Sequence, residues 1–346
     1  VGFLKVAIIS RRATAADIAK SAGVAKSTVS LAFSAPERVS PKTRERILSA
    51  AAAAGYTPNP LAQSLKTGRN NIVGIILADL TNPHGGAVLG QAQQTANDTG
   101  YMVMTTTASH DPKRDLEFVR KFEQLNIRAA IIMPSGSDEE YVEALAASSI
   151  RFVTYGHKLS GLACDHVGLD NRMAMELLVR HLVELGHRKI GHVAGNLRQW
   201  SGTERLDGLR ESLSEAGLTL EDKYLGYGEY DEEASYRAAL KLLRKKDRPT
   251  ALITANNVTA IGALRAARDL KLRCPEDISI ATIDEVPWSE LISPTLTHAA
   301  QPIADMAACA ATWLIERLEG KNTTEPPRFI EFAPKLIVGQ STASIS

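Results

Sequence analysis

The chain has 346 residues, 44% hydrophobic and 23% charged, which is beyond the size at which one core stops growing and predicts two or three domains. No apolar run reaches the ~20 residues of a membrane helix, so a transmembrane helix is excluded. Three widely spaced cysteines (Cys164, Cys274, Cys309) without a CxxC argue against a disulfide framework or structural zinc site and fit a reducing compartment. The net charge of +1 hides an asymmetry: residues 1–70 carry 11 Lys+Arg against 3 Asp+Glu, a net +8, and the remainder is net −7. A small basic head on a larger acidic body points to a polyanionic partner for the head.

In chain order, Val1–Arg12 reads as an N-terminal extension with no assigned role. Its apolar stretch Phe3–Ile9 is short for a leader and is followed by Arg11 and Arg12 rather than a small-residue cleavage site. Residues 13–57 read as three short helices. Thr14-Ala-Ala-Asp17 has capping-box spacing, Gly23 ends the first helix, and the second runs from about Ala25 to Ser34. Ser40-Pro41 opens the third, and Gly55 closes it. A short helix over Leu61–Lys66 follows, then the linker Thr67–Asn71.

From residue 72 strands and helices alternate. Strands are predicted at 72–78, 102–106, 129–133, 152–155, 190–194, 224–227, 251–254 and 278–283. Helices are predicted near 86–98, 113–124, 138–148, 171–185, 203–216, 232–245 and 257–270. A long helix over Ile303–Leu318 and late strands at 329–333 and 335–338 complete the body. Two series of βα units imply two parallel-sheet lobes, with a cleft between them suited to a ligand. The fold class is therefore an all-α helix-turn-helix head plus an α/β body of two parallel-sheet lobes. The expected domains are 13–57 (head), 58–71 (hinge helix and linker) and 72–346 (body). Within the body one lobe is expected to hold roughly 72–170 plus 298–328, the other 171–297 plus 329–340.

Two helices across a tight Gly turn, then a third, on a basic segment, is the plan of a helix-turn-helix. The second helix would enter the major groove. Lys26 can donate to guanine, and Ser27 can donate or accept. Thr28, Ser30, Ser34, Ser40 and Thr43 are short hydroxyls suited to phosphate contacts, and the Thr14 hydroxyl joins them at the start of the head. Val29 and Ile18 face the head's own core. The competing reading of the head is a small helical module that docks on protein.

The stretch Thr14-Ala-Ala-Asp-Ile-Ala-Lys-Ser-Ala-Gly-Val-Ala-Lys-Ser-Thr-Val-Ser30 resembles the head of the lactose-repressor/galactose-repressor family. So do Val39-Ser-Pro-Lys-Thr-Arg-Glu-Arg-Ile47 and Gly55-Tyr-Thr-Pro-Asn-Pro-Leu-Ala62. In the body the similar segments are Gly74–Pro83, His181–Ile190, Arg205-Leu-Asp-Gly208, Ala255–Gly262 and Ser293-Pro-Thr-Leu-Thr297. The resemblance covers about 330 residues. It implies a periplasmic-binding-protein-like body and a hinge helix carrying Asn59, Ala62 and Leu65. A leucine of this kind wedges into the minor groove, where unstacking is offset by contacts to the bent duplex. Leu31 departs from the family, which often has Arg or another polar reader there. Leucine can only touch a thymine methyl or pack away, so the operator should differ at that base pair.

The resemblance also implies an effector in the interlobe cleft. Arg205, Asn256 and Asp284 match effector-contacting positions, and Tyr230 roughly matches an aromatic that stacks on a sugar ring. This set suits a polyol, although Arg205 could instead hold the cleft in shape by pairing with Asp284. Asn257, His84-Gly85 and Gly156-His157 depart from the sugar-responsive pattern, and His84 and His157 are candidate donors to the ligand.

The implied protein is a cytoplasmic, nucleoid-associated homodimer and a transcriptional repressor. Its partners would be double-stranded, pseudo-palindromic operator DNA and a small carbohydrate effector, with no membrane partner and no cofactor. A purine or other non-carbohydrate effector is the alternative. A periplasmic sugar-binding protein, the rival of another class, is expected to carry a leader and no basic head. An enzyme is not expected: G-x-S-x-G, P-loop and G-x-G-x-x-G motifs are missing, and no catalytic residues are assigned. His181, His187 and His192 span a helix, a turn and a strand, which is poor metal geometry.

Overall fold

A computed structural model describes residues 13–57, 70–285, 291, 293–321 and 325–345. The extension 1–12 and the hinge positions Asn59, Ala62 and Leu65 lie outside the described residues. The chain divides between Asn71 and Ile72 into two units.

The head contains α1 (Ala15–Ala22), α2 (Lys26–Ser34) and α3 (Pro41–Ala53). Thr14 and Asp17 form a reciprocal capping box, so two otherwise unpaired amides at the start of α1 are satisfied locally. Gly23 ends α1 at φ 61°, a left-handed conformation that a side chain resists. Ser40 caps α3, with Pro41 in its first turn. Ile18, Ala22, Val29, Ala32 and Ile47 form the core, and Phe33 meets Tyr56 edge-on at 6.0 Å. Apolar side chains this few stabilise the head only modestly, so its caps and turn carry weight.

The body starts with β1 (Ile72–Leu77), α4 (Pro83–Asp98), β2 (Met102–Thr107), α5 (Pro112–Gln124), β3 (Ala129–Ile132), α6 (Glu139–Ala146), β4 (Arg151–Tyr155) and β5 (Asp165–Leu169). It continues through α7 (Asn171–Glu184), β6 (Ile190–Ala194), α8 (Trp200–Glu215), β7 (Leu225–Tyr227), α9 (Glu232–Leu243), β8 (Ala251–Thr254), α10 (Asn257–Asp269) and β9 (Ser279–Ile283). It ends with β10 (Thr297–Ala300), α11 (Ile303–Leu318), β11 (Phe329–Phe332) and β12 (Lys335–Ile337).

One sheet has the order β11-β5-β4-β3-β1-β2, and the other β12-β10-β9-β8-β6-β7. The first is parallel throughout, and the second is parallel except for β12, which runs antiparallel to β10. Strands such as Ile190–Ala194 and Ser279–Ile283 are buried along their whole length, as a parallel sheet covered on both faces requires.

Two strands, β5 and β10, were not among those expected. Two strand assignments also differ from expectation. Residues 298–328 were placed with the first lobe, yet β10 pairs with β9 in the second sheet. Residues 329–340 were placed with the second lobe, yet β11 pairs with β5 in the first. The reason is connectivity: α11 packs on β3, β4 and β5, and the strand after a helix is most easily added to the sheet which that helix covers. The chain therefore passes between lobes at Asp170, at Gln301-Pro302 and at Ala333-Pro334.

His181, His187 and His192 do not converge on a metal. His181 Nε2 bonds Thr342 Oγ1 at 2.8 Å, and His187 bonds Thr250 Oγ1 at 3.0 Å and the Ala343 carbonyl at 3.1 Å. His192 Nδ1 bonds the Ile253 carbonyl at 2.9 Å. The first two fasten the C-terminal segment to the second lobe.

Candidate functional site

In the head, Lys26 and Ser27 are exposed at the start of α2, Thr28, Ser30 and Leu31 are half-buried along it, and Ser34 is exposed at its end. Ala25 gives α2 no side-chain cap, which leaves the first amides and the positive end of the helix dipole open to a phosphate. Several candidate phosphate contacts already have work inside the head. Thr14 caps α1. Ser40 Oγ bonds Thr43 Oγ1 at 2.8 Å, and Ser34 Oγ donates to the Ser30 carbonyl at 2.9 Å. A hydroxyl so engaged still has an oxygen lone pair to offer but has lost its free donor.

In the body, a cleft is lined by residues of both lobes, a usual place for a small-molecule site. It lies at the carboxyl ends of the strands, where open α/β sheets place their ligands. Ala78 follows β1, Met133 follows β3, Gly156-His157 follow β4, Asn256 follows β8 and Asp284 follows β9. The six body residues singled out from sequence (His84, His157, Arg205, Tyr230, Asn256 and Asp284) all line this cleft.

Arg205 rises from the first turns of α8 and is 7% exposed. Its Nε donates to Asn171 Oδ1 at 2.7 Å and its Nη1 to the Ala255 carbonyl at 2.5 Å. Nη2 takes part in neither bond. Among the described residues Arg205 forms no ion pair with Asp284, so the expected alternative role, a brace between the two, does not hold. Asp284 sits at φ 69° after β9 and accepts instead from Gln301 Nε2 at 2.5 Å.

Asn256 caps α10, its Oδ1 accepting from the Thr259 amide at 3.0 Å, so its amide nitrogen is the part left for a ligand. Tyr230 lies in the left-handed region at φ 59°. Its hydroxyl shares a hydrogen bond of 2.9 Å with Ser201, and Arg205 lies 6.0 Å from the ring centroid. A Cβ on Gly195 would stand 2.2 Å from this ring, so only glycine lets the tyrosine lie against the backbone there. The ring is thus held beside Gly195 while it stays half-buried and lines the cleft.

His84 is in the first turn of α4, whose cap Asn82 accepts from the His84 amide at 3.0 Å. The same Asn82 oxygen accepts from Asn257 Nδ2 at 3.0 Å, which ties the two lobes across the cleft mouth. Ser137 Oγ adds a second tie, donating to the Arg198 carbonyl at 2.6 Å. The Nδ1 atoms of His84 and His157 are buried without a hydrogen-bond partner. Burial pushes both imidazoles down, His157 to about 3, with Arg205 adding to the effect at each. Both are neutral at pH 7.

Sequence reasoning missed Asp79, Asn82, Asn171, Gln199, Ser201 and Gln301, which also line the cleft. Asn171 and Gln301 adjoin two of the interlobe passages, and no local motif marks them. Only the correct topology would have found them.

The comparisons agree with this architecture. The profile described as bacterial regulatory proteins, lacI family, matches residues 14–59, and that of the periplasmic binding protein-like domain matches residues 179–342. The HTH-type transcriptional repressor PurR of Erwinia tasmaniensis is 30% identical over 338 residues, covering 96% of this chain and 97% of its own. The ribose operon repressor of Haemophilus influenzae is 28% identical over 333 residues, covering 96% and 99%. The lac repressor dimer bound to operator and an anti-inducer superposes with a TM-score of 0.86 at 23% identity, covering 96% of this chain and 100% of that one.

A DNA-reading head joined to a periplasmic-binding-protein-like effector domain defines a ligand-controlled regulator of transcription. This chain belongs to the lacI family of bacterial transcriptional regulators, a family of DNA-binding proteins and not of enzymes.

Proposed function

We propose that this protein is a repressor that binds a pseudo-palindromic operator as a homodimer in the cytoplasm and is controlled by a carbohydrate in the interlobe cleft. Each protomer would place α2 in one major-groove half-site, matching protein two-fold symmetry to operator symmetry. The hinge roles of Asn59, Ala62 and Leu65, and with them the domain division at 58–71, rest on the family resemblance. A ligand that prefers one lobe arrangement shifts the population of the DNA-competent dimer by its differential affinity for the two.

The observation that carries the carbohydrate reading is the convergence of Arg205, Asn256 and Asp284 on one cleft otherwise lined mainly by amides, hydroxyls and imidazoles. Such a lining offers alternating donors and acceptors to ring hydroxyls. The kinship with PurR supports a purine as the second reading. A thermal-shift screen of sugars, polyols and purines, repeated on Asp284→Ala, tests this. A carbohydrate that raises the midpoint of the wild type and not of the variant is expected. A shift from purines alone would overturn the carbohydrate assignment.

A further inference from the structure

The charges lining the cleft are not balanced by one another. Asp79 is folded back on its own turn, with Thr81 N and Oγ1 donating to its two oxygens at 2.7 and 2.5 Å. Asp284 accepts from the neutral amide of Gln301. Arg205, nearly buried, bonds only the neutral oxygens of Asn171 and Ala255. No salt bridge to it is formed among the described residues. A buried guanidinium that has only neutral acceptors is costly unless something else compensates its charge.

The first lobe adds imidazoles to the cleft. His84 and His157 line the cleft with a buried, unpartnered Nδ1 each, and His110 stands at its rim. The charged and titratable groups acting on His157 are Arg205, His110, His166 and His84, all cationic when charged. Those acting on His84 are Asp284 and Arg205, and Asp79 acts on His110. The full charge acting on His157 at neutral pH is therefore the Arg205 guanidinium, which keeps Nη2 outside its two bonds beside an imidazole nitrogen that lacks a partner.

We propose that the effector is a sugar acid, whose carboxylate lies against Arg205 and His157 while its hydroxyls reach Asp284 and Asn256. This rests on the carbohydrate reading above and deepens it. A carboxylate suits the site better than a phosphate monoester. Two of the three guanidinium nitrogens are already engaged, and Asp284 lines the same cleft, so a second negative charge would lack donors. An anion against His157 also favours its protonated form, and contact close enough to raise the ring from about 3 into the range titrated makes binding take up a proton and tighten as pH falls.

The test is isothermal titration of the full-length protein with matched pairs, glucose with glucuronate and galactose with galacturonate, plus glucose 6-phosphate, hypoxanthine and guanine. Titrations are run at about pH 7.5 and about pH 5.5 in buffers of different ionisation enthalpy. One acid is expected to bind about tenfold or more tighter than its neutral partner, the value of one well-placed charged hydrogen bond. Its advantage should grow at the lower pH, with net proton uptake. His157→Leu should reduce the acid's advantage over the neutral sugar, leaving the part that Arg205 supplies. His157→Gln, which keeps a polar group in place, should fold with the wild-type thermal midpoint and lose the pH dependence.

Neutral sugars binding as tightly as their acids would overturn this inference and leave the carbohydrate reading standing. So would tightest binding by the phosphate, or an acid advantage unchanged by pH and by His157→Leu. Binding by the purines with none by any sugar or acid would overturn both.

Discussion

Single residues are the candidates for specificity at both ends of this molecule. At the DNA end, Lys26 is exposed at the uncapped start of α2, and Leu31, half-buried further along, has no polar atom to offer a base. Lys26→Ala is expected to weaken operator binding by about 1–3 kcal/mol and to relax preference at one base pair per half-site. Operator titrations against a panel of single-base variants read this. Equal loss on every duplex would instead make Lys26 a phosphate contact. At the ligand end the cleft lining was legible where it falls within a motif: Arg205 and Asn256 sit in segments that resemble the family's, and Asp284, outside those segments, was matched as a single position. Tyr230 lines the cleft as expected, but its close approach to Gly195 was not legible, because it depends on how two loops pack. The partners of Arg205 were also illegible, since Asn171 and Ala255 come from distant segments.

At the scale of elements, the sequence patterning served best where hydrophobic periodicity is strong and caps are explicit. The three head helices and β6, β8 and α11 follow it closely. β5 and β10 were missed because Asp165-His-Val-Gly-Leu169 and Thr297-His-Ala-Ala300 hold few of the residues that mark strands. Tertiary burial makes them strands. β5 shows how: burial pushes the Asp165 carboxyl up, yet hydrogen bonds from Arg317 and Arg328 outweigh it and hold the group below the usual carboxylate range. This links β5 to α11 and β11.

The missed strands also bear on control. Gln301 lies directly after β10, at an interlobe passage, and donates to Asp284 in the cleft. A ligand hydroxyl that donates to the same Asp284 oxygen would compete with that bond, and occupancy of the cleft would then be felt at the passage. Gln301→Ala is expected to keep ligand binding and to reduce the ligand's effect on operator affinity, by about 1 kcal/mol of coupling. The ratio of operator dissociation constants with and without ligand measures it. An undiminished ratio would sever Gln301 from the response.

The whole molecule combines a basic head with a body that buries neutral imidazoles. Burial lowers His157 to about 3, His166 to about 4 and His192 to about 4. The unfolded chain binds these protons near pH 6.5, whereas the folded body resists them until about pH 3–4. Their stabilising contribution is therefore whole above about pH 6.5 and is lost as pH falls through the folded values, by up to ~1.4 kcal/mol per pH unit for each group. Asp115, raised to about 6 by burial, works the other way: it favours the folded state below about pH 4 and loses that advantage as pH rises to 6. Three histidines outweigh one carboxyl, so denaturant midpoints of the body should fall between about pH 6.5 and about pH 4. A midpoint that is flat or rises over this range would contradict the buried neutral state of these rings.

The function proposed for this chain is to read DNA through α2 under the control of the interlobe cleft. Selection of duplexes from randomised DNA by the full-length protein, with and without a mixture of neutral and acidic sugars, tests both halves at once. A pseudo-palindromic sequence should be enriched, and the sugar mixture should change that enrichment for the wild type and not for Asp284→Ala. Enrichment of no sequence, or an enriched sequence equally indifferent to the mixture in both proteins, would contradict it.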